Sequence, residues 1–246
     1  MNLGLNNKVV VITGSSRGIG RELIKAFSNE QSKIVINYLN SDDEAEELYR
    51  EIARHNNNCI KVKADVTNEM DVKTLRDKTI SAFGKIDILI NNAGICYDSD
   101  IQILSKKHWD RVIDVNLTGV YLCCKMFSEI MIKQNMGKII NISSLKGQIG
   151  SAGQVNYSAS KAGLIGLSKS LAKELSKFNV AVNTVCPGYI TTNLNSCNYE
   201  KKRVAQEQSL LPIKMNLQDL IHFILFFSSE QVSSVTGQVF NIDSRI

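Results

Sequence analysis

Short runs of β-branched and apolar residues recur along this chain, separated by longer segments whose apolar residues fall at helical spacing. A short, nearly unbroken apolar run suits a strand buried on both faces, whereas apolar residues three and four apart suit a helix with one face against a core. The runs predict strands at 8–13, 33–38, 59–65, 86–90, 138–143, 180–185 and 239–242. Helices are expected over about 21–27, 42–55, 68–83 and 106–134, with another carrying Tyr157 and Lys161 and ending near Lys177. Strands that alternate with helices can pair only in parallel, through right-handed crossovers that lay helices on both faces of the sheet.

The expected fold is therefore α/β: a single doubly wound, Rossmann-type domain over residues 1–246, with a seven-stranded parallel sheet. A chain of 246 residues with 43% hydrophobic content can bury such a core without a second domain. No internal repeat or low-complexity linker interrupts it.

Ligands of such sheets bind beyond the carboxyl ends of the strands. Gly14 follows the first expected strand, Asn37 ends the second, Asp65 ends the third, Asn91 follows the fourth, Ser144 the fifth and Pro187-Gly188 the sixth. The first of these ends, Gly14-Ser15-Ser16-Arg17-Gly18-Ile19-Gly20, leads straight into a helix. Its glycines let backbone approach a pyrophosphate, and the helix N-terminus offers unpaired N–H groups and partial positive charge. A tight turn without a ligand is the plainer reading, and its place after a first strand favours the nucleotide.

A second constellation is Ser143-Ser144 followed by Tyr157-Ser158-Ala159-Ser160-Lys161. Tyrosine and lysine four apart share one helix face. A phenol with an ordinary pKa near 10 is a poor acid–base group at neutral pH. One cation at about 4 Å supplies on the order of 4 kcal/mol at an effective dielectric of about 20, enough to lower the phenol by a few units. Alone, this spacing also arises by chance on amphipathic helices; its company with the glycine turn gives it weight.

Composition excludes some classes. The net charge of +5 is mild and the bases are scattered, so the triplet Lys201-Lys202-Arg203 reads as a solvated face, and the continuous basic stripe that nucleic acid requires is missing. The six cysteines show no Cys-x-x-Cys spacing, which points to free thiols, no metal and a reducing cytoplasm. The N-terminus lacks a signal-peptide layout, and no apolar run of membrane-spanning length stands out, so no membrane is expected.

Together, Thr13-Gly14-x-x-x-Gly18-Ile19-Gly20, Asn91-Asn92-Ala93-Gly94, Asn116, Ser144, Tyr157-x-x-x-Lys161 and Pro187-Gly188-x-x-x-Thr192 resemble the short-chain dehydrogenase/reductase family over almost the whole chain. Residues 138–144 and 154–166 most resemble the bacterial 3-oxoacyl-acyl-carrier-protein reductases. The resemblance implies that Tyr157 is a general acid in ketone reduction and that Ser144, thirteen residues before it, holds the substrate oxygen. It implies that Lys161 lowers the tyrosine pKa and binds nicotinamide ribose, and that Asn116 holds a water that reprotonates the lysine. A helix-bend asparagine satisfying local backbone is the other reading of Asn116, and both roles can hold together.

The resemblance also places a cofactor. Gly14, Ser16, Arg17, Gly18, Ile19 and Gly20 would line the pyrophosphate turn. Asp65 and Val66 would meet adenine. Asn92, Ala93 and Gly94 would meet ribose and backbone, and Pro187, Gly188, Ile190 and Thr192 the nicotinamide end, beside Tyr157 and Lys161. An NAD enzyme usually carries an acid at the end of the second strand, where Asn37 stands here, and Arg17 suits a 2′-phosphate, so NADPH is expected rather than NADH.

Residues 189–215 are expected to form a substrate lid. Lys133 and Lys177, near helix ends, keep basic character for an acidic acyl carrier protein, although the arginines of the resembled reductases are absent. The C-terminal Asp243-Ser244-Arg245-Ile246 departs from the family's Asp-Gly-Gly, so the usual homotetramer, or a homodimer, is carried as an expectation. Other small ketones, alcohols or polyketide-type substrates, or a catalytically silent NADP(H)-sensing protein, remain alternatives.

Overall fold

The computed structural model describes residues 2–190, 203–204, 207–211 and 216–244. Its sheet contains β1 (Val9–Ile12), β2 (Lys33–Tyr38), β3 (Cys59–Lys63), β4 (Ile88–Asn91), β5 (Gly137–Ile142), β6 (Val180–Pro187) and β7 (Val239–Ile242). The order is β3-β2-β1-β4-β5-β6-β7, with every pairing parallel. The order reverses at β1, which lies between β2 and β4, and the crevice beyond β1 and β4 is where such sheets take ligands.

Alternate residues of each strand enter opposite cores. Val11, Val35, Leu89, Ile139 and Val182 pack beneath α3 (Glu69–Phe83), α5 (Gly119–Gln134) and α7 (Val155–Leu175). Val10, Ile34, Ile88, Ile140 and Val185 pack against α1 (Gly18–Asn29), α2 (Asp42–Ala53) and α8 (Leu217–Ser228). Both faces of the sheet are thus dry, which accounts for the unbroken apolar runs.

Two features differ from expectation. Helix α8 went unrecognised in the sequence, although Asn216 caps it through Gln218 N–H, and Leu220, Ile221, Ile224 and Leu225 make a helical stripe. Its Phe227 meets Phe240 of β7 edge-on at 4.7 Å. The single helix expected at 106–134 is instead α4 (Lys106–Ile113), a π-helical turn (Asp114–Thr118) and α5. This helical path is long and apolar enough to span a membrane by length and composition, yet 61% of its most apolar window is buried within the protein, as in a core helix. Within α5, Val120, Leu122, Met126 and Phe127 are buried while Tyr121 faces outward.

Candidate active site

The strand ends converge on one edge and are stitched there by main-chain hydrogen bonds. Thr13 Oγ1 accepts from the N–H groups of Asn92 and Ala93, both at 3.0 Å, and Asn92 Nδ2 donates to the carbonyls of Thr13 and Gly14, also at 3.0 Å. Such proximity requires glycine. A Cβ on Gly14, whose φ is +59°, would lie 2.8 Å from Ala93 Cα, and one on Gly20 would lie 2.7 Å from Ser15 Cα. Gly18, also at φ +59°, faces open space at the N-terminus of α1, where the first turn carries no acid and Arg17 provides no side-chain cap. Ser16 is buried, Ile19 is half-buried and Arg17 is exposed.

Asn37 is the next-to-last residue of β2, and its buried side chain is fully engaged. Its Oδ1 accepts from Gly14 N–H at 3.1 Å, and its Nδ2 donates to Ala64 O at 3.0 Å. The true end of the strand is Tyr38. Asp65 accepts from Thr67 N–H and Oγ1 at 2.9 and 2.7 Å, turning the chain into α3, while Val66 packs against Gly119. On the far side, Pro187 O accepts from Leu145 N–H, Gly188 N–H donates to Ile242 O and Ile190 is buried. Thr192 and most of the expected lid lie outside the described residues.

Tyr157 and Lys161 occupy the first two turns of α7, and Ser144 lies between β5 and the short helix α6 (Lys146–Ile149). The Ser144 hydroxyl lies near enough to the Tyr157 phenol to favour its ionised form, and it accepts from Lys146 N–H at 3.2 Å. Ser143 turns inward, donating to Lys161 O at 2.7 Å. Lys161 Nζ donates to Ile142 O at 2.8 Å and stands 5.8 Å from the centre of the Tyr157 ring. Asn116 lies in the π-helical turn, a distortion often found at functional sites. Its amide accepts from Ile95 N–H at 2.8 Å and donates to Ile95 O at 2.9 Å and Ser160 Oγ at 3.1 Å, so its bonds join the loop after β4 to α7 rather than satisfy the local backbone of its own turn. A Cβ on Gly94 would be 3.3 Å from Asn116 Oδ1 and 3.6 Å from Lys161 Nζ, so Gly94 leaves the lysine head room.

Electrostatics here run against the sequence argument, in which Lys161 lowers the Tyr157 pKa. In the protein alone, burial pushes the phenol up to about 12, with the Ser144 hydroxyl opposing and Cys96 and Asp98 adding to the rise. Burial draws Lys161 down to about 8. An ammonium with one carbonyl partner is itself disfavoured in this setting, although at about 8 it still holds its charge at neutral pH.

Two further groups escaped the sequence reading. Ser160 Oγ donates to Tyr157 O at 2.7 Å and so ties Asn116 to α7; its place one turn after the tyrosine was the available signal. Gln154 Nε2 donates to Asp98 Oδ1 at 2.7 Å and Cys96 Sγ at 3.1 Å, pinning the loop after β4 to the start of α7. A contact between segments that far apart in the chain has no local sequence signal.

The family model for short chain dehydrogenase matches residues 8–203, spanning the glycine turn, Ser144, Tyr157 and Lys161. This chain belongs to the short-chain dehydrogenase family. It is 40% identical over 242 residues to a 3-oxoacyl-[acyl-carrier-protein] reductase of Synechocystis sp., with 97% of this chain and 96% of that protein covered. A protein of the same name from Staphylococcus epidermidis is 36% identical over 240 residues, covering 96% of this chain and 98% of the relative. The crystal structure of a dehydrogenase/reductase from Sinorhizobium meliloti superposes with a TM-score of 0.92 at 28% identity, over 99% of this chain and 96% of that one.

As a short-chain dehydrogenase the protein is an oxidoreductase that uses a nicotinamide cofactor. Its residues fit that group. The open, uncapped N-terminus of α1 beside Gly18 suits a pyrophosphate, and the close approach of Gly14 and Gly20 to the loop after β4 builds its wall.

Proposed function

We propose that this chain reduces the 3-oxo group of an acyl thioester with NADPH, with acyl carrier protein as the carrier. The observation that carries this reading is the placing of Ser144 beside the Tyr157 phenol, with Lys161 Nζ 5.8 Å from the centre of the same ring. Two hydroxyls at one point suit a carbonyl oxygen that gains charge during reduction. The bound reduced nicotinamide supplies the hydride.

Tyr157 donates its proton to that oxygen as general acid. A phenol whose pKa rests at about 12 holds its proton at neutral pH, the form that reduction requires. Ser144 orients the same oxygen. Lys161, drawn down to about 8, can exchange a proton near neutrality, and Asn116 braces the loop beside it through Ile95. Asp65 and Val66 are assigned to the adenine end, and Asn92, Ala93 and Gly94 to the ribose, in keeping with their positions along the strand-end crevice. NADPH rather than NADH is favoured by exposed Arg17, which forms no ion pair among the described residues, and by the absence of an acid at Asn37 and Tyr38.

Lys133 in the last turn of α5 and Lys177 after α7 offer positive charge to an acidic carrier, and the usual tetramer or dimer remains part of the proposal. The test is loss of NADPH absorbance with acetoacetyl thioesters, run beside a panel of small ketones, alcohols and sugars. Turnover of the thioester supports the proposal. Faster turnover of another class reassigns the substrate, and inertness across the whole panel removes the enzyme reading.

A further inference from the structure

The second helix opens with Asp42-Asp43-Glu44, three acids close to the end of β2, where dinucleotide folds distinguish a ribose hydroxyl from a 2′-phosphate. An acid there would favour the unphosphorylated cofactor, against the preference for NADPH proposed above. The ion pairs around the helix offer a way out of this conflict. Tyr38 and Lys63 are the last residues of β2 and β3 and pair directly across the sheet. From there Lys63 Nζ reaches Asp42 Oδ2 at 2.7 Å, and both Lys63 and Tyr38 hold the Asp42 carboxyl below its ordinary pKa. Further along, Glu46 is held by Lys61 and Arg50, Glu47 by Arg21, and Glu51 by Arg21 and Lys25. Thus the acid nearest the strand end is neutralised from the neighbouring strand.

We propose that Asp42 and Lys63 are a specificity-determining pair, in which Lys63 cancels the charge that would otherwise turn the site against a 2′-phosphate. This rests on the NADPH reading for the site itself. Both side chains are more than half exposed, at 58% and 54%, so the pair adds little to stability, and its effect belongs to what approaches it from solvent. Without Lys63, Asp42 loses its counter-charge and repels the phosphate. Without Asp42, the Lys63 ammonium is released and attracts it.

The experiment measures kcat/KM for NADPH and NADH with a fixed carbonyl substrate at low salt, taking the ratio for wild type, Lys63→Met, Asp42→Asn and the double variant. Lys63→Met is expected to lower the NADPH/NADH ratio by about fivefold and Asp42→Asn to raise it by a similar factor, a charge effect of about 1 kcal/mol. The double variant should return near the wild-type ratio, and 0.5 M salt should shrink both shifts. A merely structural ion pair would change both cofactors alike and leave the ratio unmoved. Either single variant with the wild-type ratio overturns the proposal. A wild type that prefers NADH would instead overturn the NADPH reading, with the shift in ratio still deciding the pair.

Discussion

The two halves of the strand-end crevice are built on different principles. Around β1 and β2, polar side chains are used within the protein: Thr13, Asn37 and Asn92 satisfy backbone groups of the neighbouring strand ends. Around β5 and α7, Lys161 is buried with one carbonyl partner and Tyr157 is half-buried, and their ionisation is displaced, Tyr157 to about 12 and Lys161 to about 8. The first half is a rigid mould; the second holds proton-bearing groups under electrostatic tension. Fully satisfied hydrogen bonds rigidify, whereas desolvated ionisable groups are those whose protons can be made to move.

The largest effect should fall on the second half. Tyr157→Phe keeps the ring and removes the proton, so steady-state turnover is expected to fall about a hundred- to ten-thousandfold while dinucleotide binding, followed by fluorescence titration, persists. Turnover near wild type would break the contrast at its centre. The mould should fail in the opposite way. Gly20→Ala places a methyl 2.7 Å from Ser15 Cα and 2.8 Å from Gly14 O, so backbone must move, at about 1–3 kcal/mol, and calorimetry should show a lower Tm together with weakened dinucleotide binding.

Asn37→Ala leaves Gly14 N–H and Ala64 O without their side-chain partner and should cost about 1–3 kcal/mol in denaturant unfolding. If it changed coenzyme preference without any loss of stability, Asn37 would belong to recognition rather than to the mould. The smallest effect concerns pH. Lys161 is held at about 8 against an ordinary 10.5, so the unfolded chain binds more protons between those values and stability rises with pH across them. Lys138, likewise drawn down to about 8 by burial, contributes to the same slope, so Lys161→Met should flatten it in part. A slope unchanged in Lys161→Met would mean that the lysine is not desolvated as described.

Much of the scaffold was legible because its signals are local. Runs such as Val9 to Ile12 and Lys33 to Tyr38 are apolar on both faces, and the turn from Gly14 to Gly20 sits where strand gives way to helix. The π-helical turn at Asn116 was hidden because its flanks keep ordinary helical spacing, and α8 because it follows a long segment with no periodicity of its own. Asn37 was placed at the right strand end, but the direction of its side chain, into Gly14 and Ala64, depends on two other strands.

From the sequence alone came the alternation, the parallel sheet and the residues gathered at its carboxyl edge, since strand periodicity and glycine turns are properties of neighbouring residues. Only the tertiary structure decided which of those side chains hold backbone and which are left for chemistry. It also set burial against ionisation of Tyr157, because desolvation is exerted by everything packed around a group, and the same core bears on the lysine one helical turn away in sequence.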